Sequence, residues 1–479
     1  MLLLANVTIT TKIIGYRLLL CFVPKVTSVM HMNFSHVSYN YKAFIPSTLY
    51  VSGRYGKKIF PVVSPNLDLD FYLKNWENLQ KMSELRGTKL PDLTDTLIQI
   101  VSLKKQLQEL LRRKENISQK LQELSKTNHI TSEEKENWKV EGRKVREEIK
   151  HVTEKMWDYE DDAIPVLLSI PNNIHPDTPL QDDDIIGNFC SNNQDNCIQN
   201  LKACRSHLQV LPNDIQFSNV SPCSYYLTRN AALLELALIY FFSHHLADAG
   251  LTEISCPDIV KSVIVEGCGN SFMSSISLIS EQKGAMSILT GGASFESLIA
   301  YFTRSIVEKT SLPLTFFSVG RCYQSLNPQQ LTIPGLFSVP QRTEIHFIIA
   351  CEESNEKENF GKLVTLLQQC YSLINLPFRI KKLASKNLGA AESLRIEFEV
   401  WAPALNDYAL CATIIRNGEY ISKRLMMRHC SKGNPNGFLH LIHGTVVSIP
   451  TLIAAIIENC QTSDCSFVVP KVLQSYMLS

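Results

Sequence analysis

From Leu93 onward, apolar residues return every three or four positions: Leu93, Leu97, Ile100, Leu103, Leu107, Leu110, Ile117, Leu121 and Leu124. This spacing predicts a helix with one apolar stripe. Lys114 interrupts the seam, and the register slips near Ile100. Asp92, just after Leu90-Pro91, is placed as an N-cap. The pattern breaks over residues 127–132. A second helix is expected there, because Thr131 and Glu134 have capping-box spacing. Its seam runs through Trp138, Val145, Ile149, Val152, Met156, Tyr159 and Ala163, with Gly142 as the weak point. Two helices of similar length joined by a short polar turn predict an antiparallel hairpin. At 1.5 Å per residue the first is about 50 Å long. Such a rod cannot wrap into a compact core, so it is expected to project.

The second half reads differently. Residues 231–247 form an apolar helix with Leu233, Leu234, Ala237, Leu238, Phe241 and Phe242. Gly250 ends it, and a short strand with Pro257 beyond follows. Leu394, Ile396, Phe398 and Val400 alternate with Arg395, Glu397 and Glu399, the period of a half-buried strand. Residues 345–350 are a further apolar strand. The mixture predicts an α+β fold: an antiparallel sheet flanked by helices, preceded by the helical hairpin.

At 479 residues, two or three structural units are expected. A net charge of +1 excludes a global basic field, so any nucleic-acid surface must be local. The 14 cysteines include no CxxC pair. Cys190, Cys197 and Cys204 recur every seven residues, which is not metal-ligand spacing; free thiols in a reducing compartment and no metal site are expected. No acid precedes Asp68, while Lys12, Arg17, Lys25, Lys42, Arg54, Lys57 and Lys58 do, among many hydroxyl residues. An acid-free basic start reads as a mitochondrial targeting peptide. The rivals are a secretory signal built on Leu18–Val23 and a plain basic tail. No run approaches the 20 or so apolar residues of a membrane span, so no insertion is expected.

On the hairpin, Arg112, Arg113 and Lys114 cluster on the first helix, and Arg143, Lys144 and Arg146 on the second. Antiparallel pairing would bring them to similar heights. Cations along a rod suit a phosphate backbone. They also suit a solvated coiled-coil face, since Glu109, Glu115, Glu123, Glu141, Glu147 and Glu148 nearly balance them. Docking of a protein is equally compatible.

Several segments resemble seryl-tRNA synthetases of class II. Glu115-Asn116-Ile117-Ser118-Gln119-Lys120 is similar to the family's RNxIS segment on a tRNA-gripping arm. Residues 170–179, IPNNIHPDTP, resemble its IPNxxHPDxP exit from that arm. The helix, Gly250, strand and Pro257 reproduce the order of motif 1, the dimer-forming element. Residues 320–326 and 335–346 resemble motif 2 (CFRxE, loop, GLxRVHQFxKVE), residues 398–403 the DIEVWMP strand, and residues 440–451 motif 3 (HTLNGTxxAxxR). The resemblance covers Leu67 to the end of the chain. It implies a targeting peptide and flexible lead over 1–66, a tRNA-binding type of arm over 67–180, and a synthetase-like catalytic and dimerisation domain over 181–479.

The same resemblance shows which groups are gone. Adenylation builds negative charge at phosphorus, which cations must neutralise. Gln324 stands where the family's ATP-holding arginine belongs, and Leu326 replaces the following acid. Ser338 replaces a further arginine, Pro340 a histidine and Arg342 a phenylalanine. His346 takes the place of a serine-binding glutamate, and Ser294 that of the glutamate in LCGTAE. Residues 409–413 lack the magnesium acid, and Thr451 replaces the γ-phosphate arginine. The implied protein is a catalytically degenerate mitochondrial paralogue with no cofactor. Glu296, Glu344, His346, His440 and His443 are expected near the old pocket, where replacement chemistry is an open alternative. The implied partners are the active mitochondrial seryl-tRNA synthetase, in a heterodimer, and mitochondrial tRNA or other RNA, with a location in the mitochondrial matrix. A homodimer, a stand-alone RNA-binding regulator and a scaffold without RNA stay open. The candidate RNA contacts are Arg112, Arg113, Lys114, Lys120, Arg143, Lys144 and Arg146.

Overall fold

The hairpin is built from α2 (Thr94–Lys126) and α3 (Ser132–Ser169). They follow α1 (Leu69–Leu85), which the helical pattern above did not include. The computed structural model describes residues 47–55, 63–126, 132–189, 205–219, 224–270, 276–282, 285–326, 330–462 and 466–477. Asp68 caps α1 by accepting from Phe71 N at 3.0 Å. Asp92 Oδ1 accepts from Thr94 N at 3.0 Å, but α2 begins at Thr94, so Asp92 stands one residue ahead of the predicted capping position. The expected capping residue of α3, Thr131, and Cys190, Cys197 and Cys204 lie outside the described residues.

The hairpin seam forms as its spacing predicts. Leu103, Leu110, Val152 and Met156 pack together, a core made by α2 and α3 alone. At the base, Leu97, Ile100, Ala163 and Leu167 join Trp76 and Leu79 of α1. Gly142 is buried, and a methyl group added there would stand 3.6 Å from Ile117, an ordinary contact. The base is tied down by polar bonds. Arg424 Nη2 donates to the carbonyls of Leu168 and Ile170 (3.1 and 3.3 Å).

The lead expected over 1–66 needs correction. Residues 1–46 and 56–62 lie outside the described residues, but residues 47–55 and 63–66 are packed rather than flexible. Leu49 and Val63 are only 2% and 3% exposed. Glu266 accepts from Thr48 N at 2.5 Å and Leu49 N at 3.1 Å. The Tyr50 hydroxyl donates to Asp161 at 2.6 Å, and Arg54 pairs with Asp158. This segment stitches α3 to the body.

The body is an eight-stranded sheet. Its strands are β1 (Asp184–Phe189), β2 (Thr252–Glu253), β3 (Leu314–Tyr323), β4 (Gln341–Cys351), β5 (Phe378–Lys382), β6 (Leu394–Ala402), β7 (Asp407–Gly418) and β8 (His440–Ser448). The order is β1-β5-β6-β7-β8-β4-β3-β2, antiparallel throughout except the edge pair β3–β2. Helices α4 (Arg229–Asp248), α6 (Glu353–Ile374) and α7 (Ile449–Asn459) contribute to one core with the sheet. Alternation sorts β4: Ile345, Phe347 and Ile349 enter that core, while Arg342, Glu344 and His346 take the other side. The α+β architecture is therefore the one the pattern predicts.

Candidate functional site

On that other side lies a cavity of about 1320 Å³. Its lining includes Ser294, Gln324, Leu326, His346 and Thr451, positions at which charged groups are expected to be lost, and residues 409–413, where the magnesium acid is missing. Ser338 is not among the lining residues. Glu296, Glu344 and His443 line the cavity as expected, but His440 does not. His440 sits at the start of β8, opposite Cys351, and bonds Glu356 at 2.8 Å. A position near motif 3 in the chain is thus remote from it along the strand.

The substituted positions are bonded within the protein. Gln324 N donates to the Pro340 carbonyl at 2.8 Å, and its side-chain oxygen accepts from Arg342 Nη2 at 2.8 Å. Thr451, buried in the first turn of α7, lies 3.0 Å from the Ser448 hydroxyl. Ser294 caps α5 (Phe295–Phe302) by accepting from Ser297 N at 3.2 Å.

Among the described residues, two arginines line the cavity, and both have carboxylate partners. Arg342 Nε is 2.9 Å from Glu344 Oε1. Arg395 is 2.9 Å from Glu397 and 3.3 Å from Glu392. Burial pushes the Glu344 carboxyl up, but Arg342 and His346 outweigh it and hold it at about 2. His346 Nε2 is 2.9 Å from Glu344 Oε2. Burial, with Glu344 beside it, pushes the Cys322 thiol well up. Burial also drives the His443 imidazole well below its usual range, and the ring stacks on Phe295 at 3.4 Å between centroids. From the sequence Arg342 stands only as the replacement of a phenylalanine, and no local pattern places Cys322 or Arg395 at the cavity. The alternation of Arg342, Glu344 and His346 was a visible signal, but their partners depend on cross-strand register.

The retained positions shape backbone. A side chain at Gly444 would start 1.9 Å from the Thr413 carbonyl oxygen, so β7 and β8 can approach only with glycine there. Thr445 N then donates to Thr413 Oγ1 at 3.1 Å.

Away from the cavity, the hairpin brings its two basic groups to one height. Arg113 Nη2 is 2.7 Å from Glu141 on the facing helix. Arg112, Lys114, Lys120, Arg143, Lys144 and Arg146 are exposed. Arg143 lies 3.5 Å from Glu136, and Lys120 sits 4.4 Å above the Trp138 ring. On α4, one face enters the core, while Leu233, Leu236 and Tyr240 form an exposed stripe at helical spacing. Gly250 follows that helix with φ +87, ahead of edge strand β2, and Pro257 lies just past it.

Among the described residues, no helix is long and apolar enough to cross a membrane. Residues 285–460 match the family model for the tRNA synthetase class II core domain (G, H, P, S and T). The chain is 25% identical over 430 residues to the serine--tRNA synthetase-like protein Slimp of Drosophila melanogaster, covering 88% of this chain and 90% of that one. It is 25% identical over 418 residues to the mitochondrial serine--tRNA ligase of Bos taurus, covering 83% and 79%. Its fold matches the seryl-tRNA synthetase of Pyrococcus horikoshii, solved with ATP, at a TM-score of 0.71 and 18% identity, covering 86% and 98%.

Proposed function

We propose that this chain, which carries a class II tRNA synthetase core domain related to that of seryl-tRNA synthetases, is a non-catalytic mitochondrial member that supports an active synthetase. One observation carries the reading. The two arginines lining the cavity are engaged by carboxylates and by Gln324, and Thr451 replaces the second expected clamp. A phosphoryl-centred transition state needs cations aimed at its developing charge. Guanidiniums already neutralised inside the protein supply little of that.

What remains is an arm and a surface for a second subunit. The exposed apolar stripe on α4 supports subunit contact, because clustered exposed apolar groups mark interaction sites. The exposed cations on α2 and α3 support RNA contact. The partner proposed is the working mitochondrial seryl-tRNA synthetase, in a heterodimer that helps it bind tRNA or keeps it stable. The similarity to the Bos taurus mitochondrial ligase is compatible with a matrix location. Mass spectrometry of the tagged chain purified from mitochondria tests this. Recovery with the active synthetase in near-equal amount is expected. Recovery of self-paired chains only would sink the heterodimer.

A further inference from the structure

We infer that Cys322, Glu344 and His346 bind a borderline transition-metal cation, zinc being the best chemical fit. Three ligand atoms, one sulfur, one carboxylate oxygen and one imidazole nitrogen, lie within 4.8 Å of one another. The sheet explains the convergence. Cys322 is on β3 and the other two are on β4, with Glu344 paired to Gly320, which has no side chain to come between them. All three line the cavity, so a cation held there keeps a coordination position open to it.

Thiolate, imidazole and carboxylate together are a zinc-type donor set, and three protein ligands leave room for water or an exogenous ligand. The surroundings are those of a ligand shell. Arg342 Nε lies 2.9 Å from the far carboxylate oxygen of Glu344, an ion pair, and Thr445 Oγ1 stands 3.3 Å from His346 Nε2. His346 Nε2 is the ring nitrogen that meets the carboxylate, 2.9 Å from Glu344 Oε2, and as a neutral imidazole with its proton on Nδ1 it presents the lone pair that metals take. Uptake replaces the thiol proton of Cys322 by the metal, forming one S–metal bond and releasing one proton to solvent.

The test uses the full chain and Co(II) as the spectroscopic probe. One cobalt per chain is expected, with a thiolate-to-cobalt charge-transfer band that Zn(II) abolishes. Cys322→Ser should remove the band. His346→Asn should lower affinity at least tenfold. A band that survives in Cys322→Ser places the metal on other cysteines and overturns the assignment. If Cys322→Ser does not fold, the melting temperature of the unaltered chain decides: a rise with added Zn(II) that His346→Asn abolishes supports the site, and no rise overturns it.

Discussion

Arg342 donates to Gln324 across 2.8 Å, so the residue standing in the arginine's place is itself held by a neighbouring arginine. The same guanidinium is 2.9 Å from Glu344. Position 324 is therefore not an empty socket. The predicted outcome is that the chain shows no serine-dependent pyrophosphate exchange, and that Gln324→Arg alone does not create any. The variant sets two guanidiniums side by side, while Thr451 still leaves the other clamp absent. One transition-state donor is typically worth about 100- to 1000-fold, so a single restoration falls short. Robust exchange by the unaltered chain would show the reading of the pocket to be wrong.

The junction of α6 with β7 and β8 carries its own pH sensitivity. Glu356 is fully buried and accepts from Arg416 Nη2 at 2.6 Å and bonds His440 Nδ1 at 2.8 Å. Burial pushes its carboxyl up, but His440 and Arg416 outweigh that and hold it below the ordinary 4.5. A lowered carboxyl stabilises the fold above its unfolded value and loses that contribution as pH falls through the folded value. Melting temperature should therefore decline as pH drops below about 4.5. In Glu356→Gln the profile should start lower at neutral pH and flatten on the acid side. Parallel profiles for the two proteins would show that Glu356 does not set the sensitivity.

Much of this molecule can be read from its sequence because the relevant signals are local. The hairpin follows from 3-4 spacing, and every seam residue from Leu93 to Leu110 is buried or half-buried. Strand β6 follows from the alternation of Leu394–Val400. Helix α1 was missed, although Asp68 and the spacing of Leu69, Tyr72, Leu73 and Trp76 were there to be used. The vacancies at Gln324 and Thr451 were legible because a missing charge needs no geometry. The contacts that replaced them were not. Cys322 meets Glu344 only through the β3–β4 register, and a bulge between Ile345 and His346 shifts the pairing with β8. His440 was misplaced for the same reason: a strand separates residues that look adjacent in a motif.

The packed segment at residues 47–55 bounds what can be removed from the front of the chain. Leu49 is 2% exposed, and its burial alone is worth about 2 kcal/mol. Glu266, bonded to Ser47, Thr48 and Leu49, would lose its partners with it. A chain starting at Val63 should melt several degrees lower than one starting at Ser47. Any peptide removed on import should accordingly end before Ser47, which amino-terminal sequencing of the native protein would reveal. An amino terminus beyond Tyr55 on a stable native protein contradicts this.

The hairpin cations separate into those committed to the hairpin and those facing water. Arg113 bonds Glu141 on the facing helix, and Lys120 covers Trp138, so reversing either also disturbs the pairing of α2 with α3. Arg112, Lys114, Lys144 and Arg146 are exposed, and none of them takes part in the ion pairs that hold α2 to α3. Replacing these four with glutamine should leave the helical content and melting temperature of the chain nearly unchanged. RNA affinity, measured for the chain with its co-purified partner by fluorescence anisotropy, should fall. The plot of log affinity against log salt should also flatten by roughly 1 per lost phosphate contact. The slope is the decisive reading, because a variant that merely weakened subunit pairing would lower affinity without removing counterion release. An unchanged slope would mean that these cations only keep the rod soluble, and that RNA is gripped elsewhere or not at all.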